Sequence, residues 1–223
     1  AAITHPSLDS GNPIDNPIGT GPYLPESYNV GEKAVMVRNE NHTWWNEGNG
    51  AYLDRIEFID YGTDPATIMS AVESEEVDMT YESIGDFIDI LSGLGMNQSE
   101  ASTAATIITR PNQLAEIDGK KPYADARVRR ALAMAVDNAV VLELGYAGRG
   151  SPAENHHVSP IHPEYAELPA QKVDPAGAMA LMKEAGMADF DHEIISLDDG
   201  FEKDTTDAVA AQLRDAGFKV TRK

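Results

Sequence analysis

From Lys121 to Asp137 the apolar residues recur with the period of a helix. Val128, Leu132, Ala135 and Val136 fall on one stripe, the i, i+4, i+7, i+8 spacing of an amphipathic segment. Asp125 is its predicted N-cap, with a carboxylate that can accept from a first-turn amide at the positive end of the helix dipole. Ala131 beside the stripe lets another backbone approach. Arg127 and Arg130 lie off the stripe, and Arg129 at its margin is placed to pair with Asp125 at i,i+4. By spacing alone this is a core helix.

The same pattern predicts further elements. Asp64-Pro65 opens a helix with Ile68, Met69 and Val72 inward, Asp as cap and Pro in the first turn. Ser83 can cap a helix carrying Phe87, Ile88 and Leu91 and ended by Gly93, and Asp137 or Asn138 one carrying Val140, Val141 and Leu144. Asp174-Pro175 starts a helix with Ala178, Leu181, Met182 and Ala185 inward, and Gly186 stops it. A final helix runs from Lys203 to Ala216 with Val209, Leu213 and Ala216 inward, closed by Gly217. Strands are predicted at Lys33 to Arg38, within Tyr52 to Tyr61, at Val77 to Tyr81, Ala104 to Thr109 and Glu193 to Leu197, and from Phe218 onward. Ala1 to Asn29, rich in Pro, Gly, Asn and Asp, reads as loop, and Asp118-Gly119 as a turn. Strand and helix alternate from Arg55 to Leu91, which suggests an α/β fold. Ligands of open α/β sheets bind beyond the carboxyl ends of strands. Tyr81 and Glu82 then stand at a cleft edge; an ordinary loop start is the plainer reading.

Composition narrows the classes. A chain of 223 residues, 42% hydrophobic and 24% charged, buries a real core in one or two domains. With 37 acidic and 17 basic residues the formal net charge is -20, which argues against a nucleic-acid partner and against anionic lipid surfaces. A saline habitat or plain solubility explains such a charge as well as a cationic ligand does. There is no cysteine, so disulfides, thiolate catalysis and thiolate metal sites are out. No apolar run approaches the ~18 residues of a membrane span, and no signal peptide stands at the start.

Candidate chemistry is sparse. His156, His157 and His162 share one proline-containing loop, but adjacent histidines point apart in an extended chain and no H-E-x-x-H helix is present. Solvated loop histidines are the favoured reading, and no metal or cofactor is implied. No nucleophile elbow, P-loop or S-x-x-K motif appears, so an enzyme is disfavoured. Trp44 and Trp45 can stack on a ligand or brace a loop. In Pro17-Ile18-Gly19-Thr20-Gly21-Pro22-Tyr23 the two glycines permit positive φ or close backbone approach.

Several of these stretches share their wording with one family. Gly19-Thr20-Gly21-Pro22-Tyr23, the Pro122-to-Asp137 helix, Tyr146-Ala147-Gly148-Arg149-Gly150-Ser151-Pro152-Ala153 and Asp174-Pro175 through Gly186 resemble, in order, motifs of the family 5 extracellular solute-binding proteins, the peptide, dipeptide and nickel receptors of bacterial ABC importers. Ala71 to Asp78 fits a further motif, with Glu75 in place of a glycine that would cap a helix. Arg38-Asn39-Glu40-Asn41-His42 lacks the family's proline, and its aromatic pair is shifted.

The resemblance implies a periplasmic binding protein-like α/β fold (class II, family 5) with a partial two-lobe structure. Residues 1–106 would form part of lobe one and 107–223 most of lobe two, with the boundary near Ile107 to Asn112. Lobes of this kind close over a ligand by hinge motion. Tyr81, Glu82, Arg110, Asn112 and Gln113 are the ligand-binding candidates. The implied function is capture of peptides or a similar small solute for an ABC permease, by a periplasmic or extracellular monomer. A peptide sensor or chaperone module of the same fold is the alternative, and a hydrolase ranks below it. The chain reads as the middle of a longer receptor, expected to bind its ligand weakly or not at all by itself.

Overall fold

In a computed structural model the described residues are all but 1–4, 9, 10, 13, 42–47, 104 and 199, with the side chain of Asp86 also outside the description. The chain packs as two compact units, Ala1–Val77 and Asp78–Lys223.

The first unit is built on an antiparallel meander of β1 (Tyr23–Asn29), β2 (Lys33–Arg38) and β3 (Arg55–Ile59). β2 is the strand predicted by alternation, and Val35 at its centre is only 2% exposed. β1 corrects the loop reading of Ala1 to Asn29. Its register jumps between Pro25 and Ser27, where Glu26 is the extra residue of a bulge. An edge strand with a bulge is where proline is tolerated, so Pro25 hid this strand from pattern reading. Arg55 on β3 bonds Glu57 at 2.7 Å and reaches across to Glu26 of the bulge; Lys33 adds a 2.9 Å bond to Glu57. Gly19 and Gly21 use neither freedom foreseen for them: neither has positive φ, and no atom of the described residues lies within 4 Å of the place where a side chain would start. The motif's tyrosine is the anchor instead. The Tyr23 hydroxyl donates to the Leu53 carbonyl at 3.0 Å and accepts from the Leu53 amide at 3.2 Å.

Helix α1 (Pro65–Glu73) starts as predicted, with Asp64 accepting from the Ala66 amide at 2.9 Å. Ala71 and Val72 are its buried residues, while Ile68 and Met69 are half-buried. Its end forms despite the missing glycine. The Glu75 amide donates to Val72 at 3.1 Å and the Glu76 amide to Ala71 at 2.9 Å, the paired bonds of a Schellman cap. Glu75 therefore adopts φ +58°, a region where a Cβ is unfavourable. Val77 to Tyr81 forms no strand, because no described strand lies beside it to complete a ladder.

In the second unit, α2 (Asp86–Gly93) follows Gly85, not the expected Ser83 cap; the Ser83 hydroxyl bonds Thr80 at 3.0 Å. The predicted strand near Ala104 to Thr109 is also absent from the described residues, with Ala104 itself outside them. Asp118 and Gly119, both at positive φ, make the tight turn whose flanks Ile117 and Lys120 exchange bonds of 2.8 and 3.0 Å.

A 3-10 turn, Pro122–Ala124, then leads into α3 (Ala126–Met134), followed by α4 (Asn138–Tyr146), α5 (Pro175–Glu184), β4 (Asp191–Ile194), α6 (Gly200–Asp215) and β5 (Lys219–Arg222). Asp125, Asp137 and Asp174 cap α3, α4 and α5 through bonds of 2.8, 2.9 and 2.9 Å. Arg127, not Arg129, pairs with Asp125, at 2.6 Å; Arg129 donates instead to the carbonyls of Tyr123 and Ala124. The Arg127 guanidinium holds the Asp125 carboxyl down at about 2.

The core joins α3, α5 and α6. Val128, Ala131, Ala178 and Met182 are fully buried, with Ala135, Leu213 and Phe218 around them. Helix α4 turns a different face inward than predicted: Val140 and Leu144 are exposed and Gly145 is buried. Gly145 is where α4 crosses α6. A side-chain carbon there would come within 2.5 Å of Thr205 Cγ2 and 2.7 Å of its Cα. Helices α5 and α6 stop at Gly186 and Gly217, both at positive φ. Strands β4 and β5 pair in parallel, with His192 opposite Val220. With α6 between them they form a β-α-β unit, which makes this unit α/β.

Candidate functional site

The five candidate residues all lie in the second unit, on stretches outside regular elements. Tyr81 is 90% exposed. It sits in the loop braced by the Thr80–Ser83 hydroxyl bond. Glu82 is exposed, and its charge is felt by Tyr146 at the end of α4. Burial raises the Tyr146 hydroxyl above its ordinary value, and the Glu82 and Glu202 carboxylates push it the same way. The Tyr146 ring meets Phe201 edge-on, with centroids 5.5 Å apart. Tyr146, Phe201 and Glu202 thus join Glu82 in one neighbourhood. Sequence reading gave them no role: only Tyr146 stood in a recognised motif, and nothing local signals that α6 begins beside it.

Arg110, Asn112 and Gln113 are exposed too. Asn112 closes a turn, its Oδ1 accepting from the Leu114 amide at 3.0 Å and its carbonyl from the Ala115 amide at 3.1 Å. That leaves the Asn112 side-chain amide, the Arg110 guanidinium and Gln113 facing solvent. Among the described residues no hydrogen bond or ion pair joins this group to Tyr81 and Glu82. A depression of about 550 Å³ opens elsewhere, between Ile117, Lys120, Lys183, Asp189 and Asp191. Half-buried Ala188 and Phe190 also line it, and none of the five candidates does.

Two of the three loop histidines, His156 and His162, have local partners. His156 Nε2 lies 3.0 Å from Glu154, which also accepts from the Tyr165 hydroxyl, and the Ser159 amide donates to His162 Nδ1 at 2.9 Å. Among the described residues no three His, Asp or Glu side chains are placed to hold a metal ion, and no helix is long and apolar enough to cross a membrane. Trp44 and Trp45 lie outside the described residues.

A family model for bacterial extracellular solute-binding proteins, family 5, matches residues 2–223. The nickel-binding periplasmic protein of Escherichia coli K12 is 28% identical over 176 residues, covering 78% of this chain and 32% of its own length. The chain thus spans about a third of that curated relative. Its fold matches AgaA of A. tumefaciens R10, solved with agropinic acid, at a TM-score of 0.67 and 22% identity, over 95% of this chain and 43% of that one. The oligopeptide-binding protein AppA of Bacillus subtilis, solved with a nonapeptide, matches at 0.67 and 18% identity, over 96% and 44%. The fold is that of a periplasmic binding protein, and the chain belongs to the family 5 bacterial extracellular solute-binding proteins.

Proposed function

We propose that this chain is part of the substrate-binding component of an ABC importer, which captures peptides or a similar small solute outside the cytoplasmic membrane and delivers it to the permease. The observation that carries this reading is the family match along residues 2–223. The protein binds its solute without transforming it. Residues 1–106 contribute to one lobe and 107–223 to the other, and Tyr81, Glu82, Arg110, Asn112 and Gln113 face the cleft between lobes. The exposure of these five residues on the described chain supports the reading, because a binding surface completed by lobe closure stays open to water until the ligand is enclosed. Closure then removes water and strengthens each polar contact to the ligand.

Titration calorimetry with a panel of di- and oligopeptides tests this reading on the full product of the gene and on the 223-residue chain. Micromolar or tighter binding is expected for the full product, weakened at least about tenfold by Tyr81→Ala or Arg110→Ala, as for anchor residues of an interface. The isolated 223 residues are expected to bind weakly or not at all. Micromolar binding by those residues alone would overturn the divided cleft. Turnover of a peptide would overturn the transport role.

A further inference from the structure

One titratable group sits deep in the second unit, away from the candidate binding residues. His192, on β4, is 2% exposed. Its ring is surrounded by aromatic side chains: Phe190 with centroids 5.0 Å apart, Tyr123 at 5.8 Å and Phe218 at 6.1 Å. Its Nδ1 lies 3.1 Å from the Tyr123 hydroxyl. These neighbours come from three places. Tyr123 belongs to the 3-10 turn ahead of α3, Phe190 precedes β4, and Phe218 links α6 to β5. His192 is thus the point at which that turn and the parallel pair of strands are joined.

The charged groups around it offer little to a positive imidazole. Asp191 and Glu193, its neighbours on β4, alternate to the opposite face of the strand. Asp191 takes the Thr221 hydroxyl at 3.1 Å and Glu193 takes Lys223 at 2.5 Å. On β5, Lys219 pairs with Asp189 and Arg222 with Asp198. From α3, Arg129 is committed to the Tyr123 carbonyl, and from α6, Arg214 to the Val220 carbonyl. Asp191 favours the charged ring, but burial outweighs it. A charge placed inside an aromatic pocket without a bonded counter-ion is costly.

We propose that His192 is an acid-labile latch: while neutral it fastens the 3-10 turn to the β4–β5 sheet, and on protonation it leaves its pocket and releases both from the α3–α5 core. The direction follows from linkage. Burial lowers the ring from 6.5 to about 4 in the folded chain, so below pH 6.5 the unfolded state binds more protons. The contribution of His192 to stability is complete above that pH, falls away as pH drops from 6.5 toward 4, and changes no further below. Carboxylates titrate over part of the same range, so the variant His192→Phe, which keeps an aromatic ring in the pocket, is the reference.

Urea unfolding of the 223-residue chain, followed by NMR signals of Glu193 and Val220 at pH 7.0, 5.5 and 4.5, tests the latch. Relative to His192→Phe, the unfolding constant of the unsubstituted chain is expected to rise about eightfold between pH 7.0 and 5.5 and about sixtyfold by pH 4.5. Parallel losses in the two proteins would overturn it. An NMR titration of the histidine rings decides the matter even if the variant does not fold. His192 is expected to stay neutral until near pH 4, and titration close to pH 6.5 would overturn the proposal.

Discussion

Between Pro122 and Lys223 each helix turns buried residues inward, onto a shared core or, for α4, onto α6. Between Asp78 and Lys121 the regular structure among the described residues is one helix, α2, and the bridged turn between Ile117 and Lys120. Among the described residues there, Leu91 alone is buried to core level, while Met79, Tyr81 and Leu114 are each at least 75% exposed. Both stretches belong to one compact unit. In the first, burial fixes the structure; in the second, the backbone runs over the surface with polar and apolar side chains facing water. All five candidate ligand residues lie on the second kind of chain. That is a common division of labour, in which loops held by a rigid scaffold carry the recognition groups.

Substitutions should separate the two stretches sharply. Met182→Ala is expected to have the largest effect, costing about 2–5 kcal/mol because a fully buried side chain leaves a cavity at the meeting of α5 with α3. A urea midpoint unchanged within error would refute the common core. Gly145→Ala comes next, at about 1–3 kcal/mol, because the added carbon must displace Thr205, backbone included. A denaturation curve matching that of the unsubstituted chain would mean that α4 and α6 are free to move apart. Tyr81→Ala and Arg110→Ala mark the other extreme. Each should shift stability by less than about 0.5 kcal/mol, as substitutions on an exposed surface do, while lowering ligand affinity. A large loss of stability at either position would dissolve the contrast and make these residues structural.

Local chemistry was legible where the rule is local. Asp64, Asp125 and Asp174 cap the helices predicted for them, and of the two candidates for α4 Asp137 is the cap, because a cap is written within three residues. The stripe of α5 held for Ala178 and Met182. Arg129 failed as the partner of Asp125 because two backbone carbonyls just ahead of the helix were nearer acceptors. β1 was missed because Pro25 speaks against a strand anywhere but at an edge or bulge, and edges are tertiary facts. The strands expected at Val77 to Tyr81 and near Ala104 to Thr109 have suitable residues and no described partner. The shape of the candidate site was less legible still. The sequence could nominate Tyr81 and Glu82 from the end of a supposed strand, but not the arrival of Tyr146, Phe201 and Glu202 beside Glu82.

By itself the order of residues determined the family, most helix starts and stops, and the buried faces of α3 and α5, since each depends on neighbours a few positions apart. Only the tertiary structure decided which strands found a ladder, which face α4 buried at Gly145, and that His192 would lose its water among three aromatic rings. Those outcomes depend on groups tens of residues away, and no local pattern encodes which distant surface arrives.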